Sequence, residues 1–262
     1  MNSLVLCVTL LLISYDGLQS RQNFLTSSSS ILNKSESPIW KKCDRRRTDF
    51  NQCLSKTIHK TLRLLDKPLK LYGLPSLYDV TFPPDAVIEF GNTTDGLRQK
   101  YHNYRIIGLT KPRSIRARLD SGVATNTLTI ETTYSKLVWK CECEANGTLV
   151  LLPLNVRTPL EFTFDNPTFI FAFELEEYEK AAATYFRVIE SAFDARARDI
   201  RFDFKHLFSN TWLNDEFNSE LSAKGSQMYA LVKHYEAIFA PYFGSVFNSF
   251  LEKVPVVELF DG

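Results

Sequence analysis

The stretch PLEFTFDNPTFIFAFEL (Pro159–Leu175) decides how this chain folds. Before its DNP turn, Leu160, Phe162 and Phe164 alternate with Glu161 and Thr163, so the three apolar side chains share one face of a strand. After the turn, Phe169, Phe171, Phe173 and Leu175 share another face. Alternation of this kind recurs from about Val87 to Ile170, as in TLTIETTYSKLVWKCECEANGTLVLLPLNV (Thr127–Val156), where ANGT around Asn146 reads as a hairpin turn. The pattern predicts long antiparallel strands with one strongly aromatic face.

Such a face needs a cover, and YEAIFAPYFGSVFNSFLEKVP (Tyr235–Pro255) supplies a matching one. Phe239, Phe243, Val246, Phe247, Phe250, Leu251 and Val254 fall on one side of a helix, interrupted by Pro241 and Gly244. Read as one helix from about Asn214 to Lys253, the segment would be ~60 Å long at 1.5 Å per residue. A single partner helix in a compact domain cannot cover so long a stripe, whereas a sheet curling around it can. Pro241 is expected to kink and divide that helix and to set where an enclosed tunnel bends or ends.

Upstream, Phe50, Leu54, Ile58, Leu62 and Leu65 keep helical spacing after Asp49, a capping residue, and Pro68 lies just past the end. LYGLPSLYDVTFPPDAVIEF (Leu71–Phe90) is a proline- and glycine-rich loop feeding a strand. Tyr178–Arg201 supports two readings: a helix rich in alanine and glutamate, or two strands joined at Ala195–Arg198.

The ends and composition place the chain in a class. The apolar run Leu4–Ile13 is too short to span a bilayer and fits a secretory signal peptide over residues 1–20, although no lysine or arginine precedes it. A short buried helix or an uncleaved anchor is the alternative. Residues 21–39 hold four consecutive serines and read as a flexible arm, leaving residues 40–262 as one domain. Sequons stand at Asn33, Asn92 and Asn146. Cys43, Cys53, Cys141 and Cys143 remain after the leader; four cysteines allow three pairings, and Cys43 with Cys53 closes a short loop. Cys141 and Cys143 either form a strained bridge or stay as two buried thiols. The 31 lysines and arginines nearly balance the 30 aspartates and glutamates, so no field favours nucleic acid. Phenylalanine is abundant, 20 against 11 tyrosines, as a large core or an apolar cavity requires.

Catalytic signatures are missing. His59, His102, His206 and His234 are isolated, no nucleophile elbow, zinc motif or phosphate loop occurs, and Glu176/Glu177 and Asp194/Asp199 lie in surface-like runs. KKCDRRR (Lys41–Arg47) reads as a solvated turn rather than a phosphate patch or cleavage site. No cofactor and no metal is expected.

Several segments in order resemble the arthropod juvenile-hormone-binding and takeout family of secreted lipid carriers. They are CDRRRTDFNQCLSKTIHKTL (Cys43–Leu62), LYGLPSLYDVTFPP (Leu71–Pro84), TLTIETTY before LVLLPL, FDFKHLFSNTWLNDEFNSEL (Phe202–Leu221) and FNSFLEKVPVVELF (Phe247–Phe260). The resemblance implies an α+β super-roll of the TULIP lipid-binding type, a long C-terminal helix wrapped by a strongly curved antiparallel sheet, plus a short N-terminal helix. It implies a Cys43–Cys53 disulfide and favours strands over Tyr178–Arg201. The serine-rich arm, the Cys141/Cys143 pair and Pro241 depart from the family pattern, so the resemblance names no single ligand.

The expected function is then a secreted, extracellular (haemolymph-type) carrier of a terpenoid such as juvenile hormone, a fatty acid or a related lipid. Stable membrane insertion is not expected, and the chain names no receptor. Candidate ligand contacts are Phe162, Phe164, Phe169, Phe171, Phe173, Phe217, Leu221, Phe239, Phe243 and Phe247, with Tyr134 and Tyr235 as hydrogen-bonding groups. The alternatives are a protein-interaction module with a solid core and, third, a lipid esterase.

Overall fold

The computed structural model describes residues 39–91, 96–149, 152–225 and 235–261. A short strand β1 (Cys43–Asp44) leads into helix α1 (Phe50–Leu64), then β2 (Asp79–Thr81) and β3 (Ile88–Phe90). Longer strands follow: β4 (Leu97–Ile107), β5 (Ser114–Ser121), β6 (Asn126–Thr133), β7 (Lys136–Leu149), β8 (Leu152–Asp165), β9 (Thr168–Lys180), β10 (Ala183–Arg196) and β11 (Asp199–Phe204). Helices α2 (Thr211–Ala223), α3 (Glu236–Leu251) and α4 (Val256–Leu259) and strand β12 (Phe260–Asp261) complete the chain.

The antiparallel strands form two sheets, ordered β10-β9-β6-β5 and β11-β8-β7-β4-β2, with β3 also on β4. The two orders match strand for strand, because β4 continues into β5, β6 into β7, β8 into β9 and β10 into β11. The architecture is therefore one curved antiparallel sheet whose long strands each turn a corner. Backbone hydrogen bonds stitch that corner: Tyr134 N–H to Pro167 O (2.9 Å), Asn166 N–H to Ser135 O (3.0 Å) and Arg113 N–H to Thr133 O (2.7 Å). The DNP turn is part of this corner, with Asn166 at φ 49°. It does not close a hairpin, since β8 pairs with β7 and β11 while β9 pairs with β6 and β10.

Helices cover edges of the sheet that would otherwise leave backbone groups unpaired. On α2, Asn214, Asn218 and Ser222 recur every four residues and face β11. Phe204 N–H donates to Asn218 Oδ1 (2.9 Å), Asn218 Nδ2 and Asn214 Nδ2 donate back to Phe204 O (3.0 and 2.8 Å), and Phe202 N–H donates to Ser222 Oγ (3.0 Å). On α1, Ser55 accepts from Ala117 N–H (2.8 Å) and Asn51 from Leu119 N–H (3.3 Å), covering β5. On α3, Asn248 accepts from Val188 N–H (2.6 Å) and donates to Val188 O (3.2 Å) beside a register shift in β10.

Several expectations change. The forty-residue helix is not observed: α2 ends at Ala223, and the chain turns at Lys224. Gly225 then approaches β11 so closely that a Cβ there would stand 2.1 Å from Ile200 O, which leaves no room for a side chain. Pro241 does not divide α3, which runs through it from Glu236 to Leu251; the proline is the sixth residue of the helix and is exposed. ANGT is no turn, since Asn146 and Gly147 lie within β7 opposite Asn155 and Leu154. Gly147 (φ 127°) is required there because a Cβ would meet Gly96 O at 2.0 Å. Tyr178–Arg201 is extended, as the resemblance implies, but its first turn is at Ala181–Ala182, ahead of the expected Ala195–Arg198. Asp49 does stand at the N-cap of α1, but its carboxylate pairs with Arg47 (2.8 Å) instead of a backbone amide. Cys43 and Cys53 are disulfide-bonded, joining β1 to α1, while Cys141 and Cys143 are buried free thiols. Burial pushes Cys143 up to about 12 and Cys141 well above the ordinary thiol range. The expected leader, most of the arm, Asn33, Asn92 and His234 lie outside the described residues.

Candidate functional site: an apolar cavity beneath the curved sheet

The aromatic face of the sheet meets α3 in two different ways. At the start of α3 the packing is solid. Phe239 stacks on Phe82 (4.4 Å between ring centres) and meets Trp139 (4.8 Å), Phe193 (5.6 Å) and Tyr235 (5.6 Å). Trp139 also packs on Phe164 and Phe169, and Tyr235 on Phe162. Past Pro241 the helix draws away from solid packing, and a cavity of about 240 Å³ opens.

Its walls come from five places. The half-sheet β5, β6, β9 and β10 contributes Leu119, Leu128, Ile130, Thr132, Phe171, Phe173, Leu175 and Phe186. Helix α3 contributes Phe243, Val246, Phe247, Phe250 and Leu251. Helix α1 contributes Leu54, Thr57, Ile58, Thr61 and Leu62, a single face at steps of three and one, followed by Leu65. Trp40, Leu74, Leu77, Leu259 and Phe260 line one region, and Leu109 and Tyr134 another. Trp40 is fixed by edge contacts to Tyr72 (4.9 Å) and Phe250 (5.2 Å) and by its indole N–H donating to Glu258 O (3.0 Å).

Among the described residues no charged side chain lines the cavity. Its polar groups are mostly turned inward to backbone: Thr57 donates to Lys41 O (3.2 Å), Thr132 to Phe169 O (3.3 Å) and Tyr134 to Leu109 O (3.1 Å). Burial pushes the Tyr134 phenol well up, so it stays a donor. Thr61 is the exception, with a buried hydroxyl oxygen that has no hydrogen-bond partner. Behind the wall, the Arg45 guanidinium lies over Phe260 (4.5 Å) and Phe186 (5.4 Å) and pairs with Glu177 (3.7 Å). Its neighbours Arg46 and Arg47 pair with Asp44 and Asp49, so the basic run is largely neutralised locally.

Of the residues expected from sequence, Tyr134, Phe171, Phe173, Phe243 and Phe247 come together on the cavity. Phe162, Phe164, Phe169, Phe239 and Tyr235 instead build the solid aromatic cluster, and burial also pushes the Tyr235 phenol up. Phe217 and Leu221 lie on α2, where Phe217 packs against Phe204 and Phe208 (5.9 and 5.5 Å), away from the cavity. The α1 wall was missed. Its signal was Thr57 and Thr61, four apart on an otherwise apolar helix face. Among the described residues no group of three or more His, Cys, Asp or Glu side chains is placed to hold a metal, and no helix is long and apolar enough to cross a membrane.

A comparison with curated proteins finds no match. Among solved structures, Takeout 1 of Epiphyas postvittana superposes with a TM-score of 0.62 at 15% identity, covering 84% of this chain and 99% of that one. A lipopolysaccharide binding protein matches more distantly, with a TM-score of 0.36 at 13% identity over 78% of this chain and 41% of that one. The first likeness is one of fold. The sequence itself matches the model of the haemolymph juvenile hormone binding protein family over residues 23–261, nearly the whole chain, and so the protein belongs to that family.

Proposed function

We propose that the protein is a secreted carrier that holds a small hydrophobic ligand in this cavity. The observation that carries the reading is the lining: large apolar side chains from a sheet, two helices and the C-terminal segment line about 240 Å³ with no charge among the described residues. An apolar pocket of that kind gains roughly 25 cal/mol for each Å² of apolar ligand surface it removes from water. Membership of a haemolymph hormone-binding family supports an extracellular setting, as does the Cys43–Cys53 bridge. The exposed Asn146 is a glycosylation site within this reading. Terpenoids such as juvenile hormone, fatty acids and related lipids are the ligand classes concerned, with binding rather than turnover as the activity.

Organic extraction of the purified protein, followed by mass spectrometry, should yield a lipid at about one per chain. The variants Ile130→Trp and Phe247→Trp fill the cavity and should lose that lipid while keeping the circular dichroism of the parent. A protein that carries no lipid and binds no apolar dye would instead support an interaction module without a ligand.

A further inference from the structure

A second, smaller core borders the cavity on its Trp40 side. Leu65, Tyr72, Leu74 and Val254 are its buried members, and Trp40, Leu62, Phe250 and Leu259 pack against them. Three stretches build this cap: residues 39–42, the end of α1 with the loop after it (62–74), and residues 252–259 around α4. Trp40 ties them together, its ring against Tyr72 and Phe250 and its N–H on Glu258 O.

The outside of the cap is both apolar and basic. Ile39, Leu64, Leu71 and Val257 lie within two residues of the small core yet stand between 41% and 67% exposed. The same three stretches hold Lys41, Lys42, Arg63, Lys67, Lys70 and Lys253 against Asp66, Glu252 and Glu258. That local excess of three positive charges stands on a chain whose net charge is +1. None of the six cations is in an ion pair among the described residues. The sheet shows the opposite pattern: Arg98, Arg105, Arg157, Arg187 and Arg201 each pair with a carboxylate on a neighbouring strand. Unpaired cations around exposed aliphatic groups complement a surface that is negative at its boundary and apolar beneath. A folded acidic protein would have to match each of these groups in register, whereas a bilayer accepts them wherever they stand, and lysine stems reach back to its headgroups.

We infer that this cap is a docking surface for an anionic phospholipid bilayer, with the Trp40 side of the cavity turned toward the lipid. Ile39, Leu64, Leu71 and Val257 enter the headgroup boundary while the cations meet the headgroup charges. The contact is reversible, because four aliphatic side chains and a few charges fall far short of an inserted helix. Its use, the exchange of lipid between cavity and membrane, rests on the carrier reading above; the docking does not.

The test is flotation of the purified protein with vesicles of phosphatidylcholine alone and of phosphatidylcholine mixed equally with phosphatidylserine. Binding to the mixed vesicles only is expected. Raising the salt from about 0.1 M to about 1 M, which shortens the screening length from roughly 10 Å to 3 Å, should release the protein. Lys67→Gln with Lys70→Gln should weaken binding about thirtyfold. Leu71→Ser with Val257→Ser should weaken it by about tenfold or more, each pair keeping the parent's circular dichroism. Lys136→Gln with Lys140→Gln removes the same charge from β7 and should change binding by less than about twofold. An equal loss in that pair would mean that net charge alone drives binding, and would overturn the surface. Flotation that neither pair of cap variants weakens places the contact elsewhere and overturns it too. Binding to neither kind of vesicle, or to both alike, also overturns the docking, while lipid extracted from the same protein would keep the carrier. Flotation by a protein that yields no lipid on extraction supports the surface and ends its use in exchange.

Discussion

Ala181 and Ala182 hold the left-handed conformation at φ 50° and 61°, joining β9 to β10 through a two-residue turn with Lys180 opposite Ala183. A turn with two positive φ values normally takes Asn-Gly, because a Cβ there costs about 1 kcal/mol per residue. The double substitution Ala181→Asn, Ala182→Gly should therefore raise stability by about 1–2 kcal/mol, or roughly 2–8 °C in melting temperature. Differential scanning calorimetry checks it, and a lowered melting temperature would show that the turn is not strained. The same two residues explain why this region resisted reading. Three successive alanines after Glu179–Lys180 are strong helix formers, and the local preference hid a hairpin that only pairing with β6 and β9 enforces.

At the scale of elements, each helix does two jobs, and only one of them shows as a hydrophobic pattern. The apolar stripe of α3 and the alternating strands were legible because burial writes a period of 3.6 or 2 into the sequence. The edge-covering role of α2 was not, since Asn214, Asn218 and Ser222 look like an ordinary solvated helix face. Their hydrogen bonds to Phe202 and Phe204 replace a missing strand. Asn218→Ala should leave the amide of Phe204 unpaired, costing about 1–3 kcal/mol in urea unfolding and exposing that amide to faster hydrogen exchange. A change within ±0.5 kcal/mol would mean that water replaces the asparagine at no cost. The cavity wall on α1 escaped for a related reason: a helix lining a void and a helix packed on a core carry the same stripe.

For the molecule as a whole, Cys141 and Cys143 report on opening. Both thiols lie in the core, and Cys143 holds its proton to about pH 12 while an unfolded thiol ionises near 9.0. Folded-state stability is thus unaffected by this group below pH 9 and falls by about 1.4 kcal/mol per pH unit between 9 and 12, as the unfolded state ionises first. Alkylation at pH 8 should proceed only through unfolded chains. A ligand present at a hundred times its dissociation constant adds about 2.7 kcal/mol and should slow labelling of both residues about a hundredfold. Labelling that ignores the ligand would place the thiols in a locally open region instead.

The corner shared by the long strands also governs how the protein can assemble in time. Because β6 continues into β7, β8 into β9 and β10 into β11, the pairing of β6 with β9 or of β8 with β11 closes a loop made of strands of the other half. Partners such as Asn126 and Leu175 or Asp199 and Asp165 must also be brought together across long intervening chain. Loop closure on that scale precedes most of its reward, so folding belongs on the milliseconds-to-seconds range of non-local β topologies.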